Sequence, residues 1–151
     1  EKLPEVYLWL AGSGSLAADL DSRSRTLGIA ERVRFLGWRE DVASLYAAAD
    51  VYVCPSRIEP LGNIVIEAWA HSRPVVAAAA AGPESLIKHG HSGLLVTVDD
   101  AEALAEAIQR VMNLPGLRDE LVRGGHEAYL RDYTEQAVVQ RYREFFESVT
   151  A

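Results

Sequence analysis

Residues 50–78 read DVYVCPSRIEPLGNIVIEAWAHSRPVVAA, and this stretch predicts a strand, a tight turn, a helix and a second strand. The apolar runs within 50–56 and 73–78 are short and rich in valine, which is typical of buried strands, whereas 63–71 is long enough for a helix. The turn Glu59-Pro-Leu-Gly62 leads directly into that helix, for which Asn63 is the predicted N-cap. N–H groups of a helix's first turn have no partner within the helix, so this order of elements predicts an anion site.

Two carboxylates flank the predicted anion site. Glu59 and Glu67 are separated by seven residues, and Glu67 lies on the same helix face as Asn63. Carboxylates would repel a bare phosphate, but they can accept hydrogen bonds from hydroxyl groups on either side of a diphosphate. A nucleotide sugar has this form, with a hexose at one end of the diphosphate and a ribose at the other. The apolar residues around Glu67 in the sequence also make a solvated charge unexpected at that position.

Strands and helices alternate along nearly the whole chain. Strands are predicted at 6–11, 33–37, 51–54, 74–78 and 94–96, and helices at 16–27, 42–48 with Asp41 as its cap, 63–71, 83–88, from Asp99 or Asp100 to 112, 117–131 and 134–149. This alternation predicts an α/β domain over residues 1–151, a Rossmann-like doubly wound parallel sheet of about five strands with helices on both faces. The loops 12–14, 37–39 and 56–62 each follow a strand, so we expect them to meet at one rim of the sheet.

Composition and residue spacing exclude several kinds of function. The net charge of −7 argues against nonspecific binding to nucleic acid, and no apolar stretch is long enough for a membrane span. Cys54 is the only cysteine, so no intrachain disulfide is possible, and we expect a buried thiol and a cytoplasmic protein. The four histidines have no metal-ligand spacing, and no serine has the context of a hydrolase nucleophile. We therefore predict no metal and no cofactor.

A set of ordered motifs resembles the donor-binding, C-terminal domain of retaining GT-B glycosyltransferases of family 4. The resemblance is strongest across residues 5–112 and includes Pro55-Ser56, Glu59-Pro-Leu-Gly62, Glu67-Ala68, Pro74-Val75-Val76, Gly82-Pro-Glu84 and, earlier in the chain, Leu10-Ala-Gly12-Ser-Gly14 and Val33-Arg-Phe-Leu-Gly37. The pair of glutamates separated by seven residues is that family's hallmark. Each motif alone is weak evidence, and their order and spacing carry the resemblance.

The resemblance implies a role for each candidate residue. Glu67 would accept hydrogen bonds from the ribose, and Glu59 would contact the transferred sugar as the catalytic-site residue. The donor's diphosphate would lie against the backbone of the turn and first helical residues: Pro60, Leu61, Gly62, Asn63 and Ile64. Gly12 and Gly14 would form a wall of the donor cleft. Trp38 and Arg39 would lie near the nucleobase, although Trp38 is equally well explained by packing, and Arg57 is either a phosphate partner or an exposed cation.

The sequence departs from the family's pattern in two places. Family members commonly carry a Gly-Gly pair where this chain has Ala80-Ala81-Gly82, so Gly82 is expected to take over that role. An earlier βα unit, which in the family supplies cationic side chains, and the N-terminal acceptor domain are both expected to precede Glu1. We therefore expect a C-terminal half that lacks its first βα unit and is inactive alone. The strands at 6–11 and 51–54 would then flank a vacancy. We expect the two strands to pair with each other directly, or the vacancy to be filled by a strand from a second copy of the chain or from the longer protein.

The resemblance implies a transferase that moves a hexose from a nucleotide-diphosphate sugar to a glycan or lipid-linked acceptor. It implies no bound metal, no nucleic-acid partner, and membrane association only through the absent part. Two alternatives remain open. One is another enzyme of the same fold, such as a sugar-nucleotide epimerase or a phosphorylase. The other is a flavodoxin-like binding module without catalytic activity, which would have acids clustered at its strand ends.

Overall fold

The computed structural model describes residues 6–150, which divide into two units between Ser44 and Leu45. The first unit contains two parallel strands, β1 (Leu8–Ala11) and β2 (Val33–Gly37), and the helix α1 (Ala17–Thr26) between them. A single 3-10 turn, Ala30–Arg32, precedes β2. The helix α2 (Val42–Ala48) spans the division between the units.

The helix α1 ends at a glycine. Gly28 has a φ of 69°, a left-handed conformation that favours glycine, and it follows the C-cap Leu27. The N–H of Ile29 donates to the carbonyl of Ser24 (3.0 Å), and the N–H of Gly28 donates to that of Arg25 (2.9 Å). These two bonds define a Schellman motif, which satisfies the last carbonyls of α1 and directs the chain back toward β2.

The second unit is a three-stranded parallel sheet with five further helices, in the strand order β3-β4-β5. The strands are β3 (Tyr52–Cys54), β4 (Val75–Ala78) and β5 (Leu94–Val96), and the helices are α3 (Asn63–Ala70), α4 (Ala81–Leu86), α5 (Ala101–Asn113), α6 (Pro115–Asp132) and α7 (Glu135–Thr150). The predicted break at Pro115-Gly116 is the start of α6, because proline fits the first helical position. Asp100 is the N-cap of α5, and its carboxylate accepts from the N–H of Ala103 at 2.8 Å.

Helices cover both faces of the second unit's sheet. All four side chains of β4 are buried, because this strand is central. Val75 and Ala77 pack with Val65, Ala68 and Trp69 of α3, and Cys54 is buried in the same cluster as predicted. On the other face, Val76 packs with Leu94, Ala107, Val111 and Leu121. The alternation along β4 therefore separates two apolar cores.

The α/β class, the parallel strands and the number of strands are confirmed. The five strands lie in two sheets, of two and three strands, and not in one continuous ladder. In the part of the chain that the structure describes, β1 pairs with β2 and β3 pairs with β4, so direct pairing of residues 6–11 with 51–54 is not observed.

Candidate functional site

The turn between β3 and α3 is built around Gly62. This residue has φ 73° and ψ 26°, and it is the N-cap of α3, so the prediction of Asn63 as N-cap was wrong. Because glycine adopts the left-handed conformation easily, the chain enters the helix one residue early and Asn63 becomes its first residue. The carboxylate of Glu59 accepts from the N–H of Gly62 (Oε1–N 3.0 Å). Glu59 therefore stabilises the turn that carries it.

The turn is held against α4 by a contact between glycines. The N–H of Gly82 donates to the carbonyl of Glu59 at 2.7 Å. A Cβ on Gly82 would lie 2.5 Å from the nitrogen of Gly62, 2.6 Å from the oxygen of Glu59 and 2.7 Å from the carbonyl carbon of Leu61. These distances are too short for any side chain. Gly82 thus holds the turn against α4, and its expected role toward a ligand stays a prediction.

The turn has fewer N–H groups available to bind a ligand than the sequence predicted. Pro60 has no N–H, and that of Gly62 is occupied by Glu59. Within the described residues, no hydrogen bond is recorded for the N–H groups of Leu61, Asn63 and Ile64. An anion at the start of α3 would therefore bind to these three groups, where the positive end of the helix dipole also lies.

Glu67 lies on the solvent side of α3. Val65, Ala68 and Trp69 are buried, whereas Asn63 and Glu67 are both exposed. The shared helix face is confirmed, and the expectation that Glu67 lies among apolar side chains was wrong, because its apolar neighbours in the sequence turn toward the core. The hydroxyl of Tyr46 donates to Oε2 of Glu67 at 3.1 Å. Sequence reasoning did not predict this contact.

Tyr46 is part of an aromatic cluster beside Glu67. Its ring centroid lies 5.2 Å from that of Tyr52 and 5.0 Å from that of His71, on which it stacks. Nδ1 of His71 lies 2.8 Å from the carbonyl oxygen of Glu67, close enough to donate to it. Burial raises the pKa of Tyr46, with smaller contributions from Tyr52 and Glu67. Burial also raises the pKa of Tyr52 to about 12.

Four candidate residues lie in the first unit. The N–H of Gly12 donates to the carbonyl of Gly37 at 2.7 Å, which brings the ends of β1 and β2 together. Gly12 has φ 126°, which requires glycine, whereas Gly14 has neither a positive φ nor a crowded neighbour. Trp38 is 79% exposed and packs little. The convergence of this rim with the Glu59–Gly62 turn stays a prediction.

Both candidate cations are paired with carboxylates. Arg39 donates two hydrogen bonds to Asp41, at 2.7 and 2.6 Å, and this pairing lowers the pKa of Asp41. The carboxylate of Asp41 is thus engaged by Arg39, and the backbone carbonyl of Asp41 accepts from the N–H of Ser44 at 2.9 Å. The role of Asp41 as the cap of α2 stays a prediction. Arg57 pairs with Asp99, which follows β5, at 2.5 Å between Nε and Oδ1. Each pair leaves N–H groups of the arginine without a recorded partner among the described residues, but the neighbouring carboxylate reduces the attraction of the arginine for phosphate.

Three further features concern metal ligands, a cavity and membrane spans. Among residues 6–150, no three His, Cys, Asp or Glu side chains are grouped as a metal site requires. A cavity of about 970 Å³ in the first unit is lined by Tyr7, Arg25, Gly28, Ile29, Ala30, Glu31, Arg32 and Arg34. None of the candidate site residues lines it. Of the helices described, none combines the length and apolar character needed to cross a bilayer.

Comparison with known proteins agrees with the motifs. The family model described as glycosyl transferases group 1 matches residues 1–114. The lipopolysaccharide core biosynthesis glycosyltransferase LpsE of Rhizobium meliloti is 39% identical over 147 residues, and the match covers 97% of this chain and 43% of LpsE.

The crystal structure of Anabaena HepE in complex with UDP matches with a TM-score of 0.90 at 28% identity, covering 96% of this chain and 42% of HepE. The complex of HepE with UDP-glucose matches with a TM-score of 0.87, at the same identity and coverage. The chain therefore spans less than half the length of these relatives.

Proposed function

Because the chain belongs to the group 1 glycosyltransferase family, we propose that the protein transfers a hexose, with retention of configuration, from a nucleotide-diphosphate sugar. The acceptor in this proposal is a glycan or a lipid-linked glycan. The observation that carries the proposal is the Glu59–Gly62 turn, locked by Gly82 at the start of α3. It presents unpaired N–H groups beside a carboxylate, and Glu67 lies on the exposed face of the same helix.

The turn gives each part of the donor a partner. The diphosphate binds the N–H groups of Leu61, Asn63 and Ile64, and the helix dipole stabilises the negative charge that grows as the diphosphate departs. Glu67 accepts from the ribose hydroxyls. Glu59 contacts the transferred sugar with the oxygen that Gly62 does not use. In this scheme Glu59 positions the sugar and is neither a nucleophile nor a base.

The relatives support the chemical class of the substrates. HepE has been crystallised with UDP and with UDP-glucose, which supports a nucleotide-diphosphate sugar as donor. LpsE is a glycosyltransferase of lipopolysaccharide core biosynthesis, which supports a glycan acceptor. The chain covers less than half of each relative, so we propose that the acceptor site and further cations come from the rest of a longer, cytoplasmic protein, and that these 151 residues alone do not transfer sugar.

The test uses the full-length protein with UDP-, GDP- and ADP-hexoses. Calorimetry measures binding, and transfer to a glycan acceptor is followed by mass spectrometry, with the anomeric configuration of the product determined by proton NMR. A transferred hexose of unchanged configuration supports the proposal. Isomerised donor formed without acceptor indicates an epimerase, inverted product contradicts retention, and absence of binding to every donor contradicts the proposal as a whole.

A further inference from the structure

The carboxylate of Glu67 is held at one of its two oxygens. Tyr46 donates to Oε2 at 3.1 Å, and no partner of Oε1 is recorded among the described residues. A free glutamate side chain on an exposed helix face samples several rotamers, and fixing it on binding costs free energy. A hydrogen bond that fixes it beforehand removes part of that cost.

Tyr46 is itself firmly placed. It is 6% exposed, and its ring contacts those of Tyr52 and His71. His71 is tied to the backbone of α3 through the carbonyl of Glu67. The hydroxyl oxygen of Tyr46 is thereby positioned relative to the helix that carries Glu67. A substitution that moves this ring therefore also moves the hydrogen-bond donor of the Glu67 carboxylate.

The direction of the hydrogen bond is fixed by chemistry. An ionised carboxylate can only accept, so the tyrosine must donate. Burial raises the pKa of Tyr46, and the neighbouring carboxylate opposes formation of the phenolate, so the donor proton is retained over the working pH range of an enzyme. The hydroxyl therefore occupies Oε2 whenever Glu67 is ionised.

We propose that Tyr46 is a positioning residue that orients the Glu67 carboxylate so that Oε1 meets the 2′-hydroxyl of the donor's ribose. The inference rests on the proposed role of Glu67 and adds to it a reason for selecting ribonucleotides. Loss of the Tyr46 hydroxyl leaves the carboxylate in place but unoriented. Binding should then weaken for a ribonucleotide and much less for its 2′-deoxy counterpart.

The test measures binding to the full-length protein by calorimetry. The probes are UDP, GDP and ADP, and whichever binds the unmodified protein is compared with its 2′-deoxy form. Tyr46→Phe keeps the ring and removes only the hydroxyl. Tyr133→Phe is the matched control, because Tyr133 packs on Trp69 of the same helix, with ring centroids 6.2 Å apart, and has no recorded contact with Glu67.

We expect Tyr46→Phe to weaken ribonucleotide binding about three- to tenfold, which is the usual effect of losing one hydrogen bond. The affinities for the ribonucleotide and for its 2′-deoxy form should therefore become more similar. The double variant with Glu67→Ala should bind no more weakly than Glu67→Ala alone. Equal weakening of both nucleotide forms, or additive losses in the double variant, would show a structural role and overturn the inference.

Two other results separate this inference from the proposed function. If Glu67→Ala weakens binding and Tyr46→Phe does not, the inference is wrong and the role of Glu67 stands. If Glu67→Ala has no effect, or if no nucleoside diphosphate binds, both are wrong.

Discussion

At the scale of single residues, the two glutamates share one arrangement. In each, the protein occupies one carboxylate oxygen and leaves the other without a recorded partner in the described part of the chain. For Glu59 the donor is the N–H of Gly62, and for Glu67 it is the hydroxyl of Tyr46. A carboxylate held in this way has its free oxygen pointed in a defined direction before any ligand arrives. The first two predictions follow from this arrangement.

Glu67→Ala in the full-length protein is expected to weaken donor binding by about 1–3 kcal/mol, because hydrogen bonds between a carboxylate and hydroxyl groups are lost. Calorimetry with the donor measures the change. Glu127→Ala, which removes an exposed carboxylate from α6, serves as the control and should leave affinity unchanged. Unaltered donor affinity in a folded Glu67→Ala protein would contradict the ribose assignment.

Glu59→Gln is expected to lower turnover more than it lowers affinity for the nucleoside diphosphate, because Glu59 is proposed to contact the transferred sugar. The amide oxygen of glutamine can still accept from the N–H of Gly62, so the turn should persist. Glu59→Ala loses that bond and should also lower stability. Steady-state kinetics and calorimetry with the bare diphosphate separate the two effects. Equal losses for donor and diphosphate in Glu59→Gln would assign this residue to the phosphates.

At the scale of elements, the site depends on how the turn before α3 meets α4. Gly82→Ala is expected to destabilise the protein by about 1–3 kcal/mol, because the new Cβ would lie 2.5–2.7 Å from backbone atoms of the turn. Gly116→Ala is the control, since nothing lies within 4 Å of a Cβ at that position. Urea denaturation measures both variants. A neutral Gly82→Ala would show that the two segments separate at little cost.

The aromatic cluster formed by Tyr46, Tyr52 and His71 predicts sensitivity to alkaline pH. Burial raises the pKa of Tyr52 from its ordinary 10 to about 12, so the folded state holds this proton more tightly than the unfolded state. Stability is therefore intact below pH 10 and falls as the pH rises toward 12. Tyr52→Phe should reduce this loss but leave the share that comes from Tyr46, whose pKa is also raised by burial, and Tyr142→Phe, at an exposed position, should leave the loss unchanged. Urea denaturation midpoints, measured from pH 8 upward, follow the loss in the unmodified protein and both variants. A midpoint that falls equally steeply with pH in all three proteins would contradict the prediction.

Sequence patterns predicted the elements well where the cause is local. The bounds of β2 and α2 match the prediction, and Asp100 caps α5 as one of two candidates. The prediction of Asn63 as the N-cap of α3 was wrong, because the left-handed φ of Gly62 starts the helix one residue earlier than the capping preference of asparagine indicates. The bond between Tyr46 and Glu67 joins side chains 21 positions apart and depends on how α2 packs against α3. The pattern of apolar residues within α2 or within α3 does not predict how the two helices pack against each other.

At the scale of the whole molecule, burial is unequal between the two units. Of the described residues, Val33 is the one buried hydrophobic side chain in the first unit, whereas β4 is completely buried in the second. Leu8 and Trp9 of β1 are 46% and 44% exposed. The second unit therefore has the larger apolar core and the greater share of the hydrophobic stabilisation.

Hydrogen exchange should reveal this difference. The amides of β4 are expected to exchange only when the second unit unfolds, whereas those of β1 should exchange through smaller openings and be less protected. Two-dimensional NMR or mass spectrometry on the native protein measures both. Equal protection of the two strands would contradict the prediction and indicate that the units unfold together.

The contact between Gly62 and Gly82 limits how the chain can evolve. Where two side chains compete for space, a smaller residue at one position can compensate for a larger one at the other. Here most of the atoms that would meet a Cβ on Gly82 belong to the backbone, and every residue type has the same backbone. No substitution at another position can remove these backbone atoms and make room for a Cβ on residue 82. Any path from this sequence to one with a side chain at position 82 must first change the course of the backbone in the Glu59–Gly62 turn.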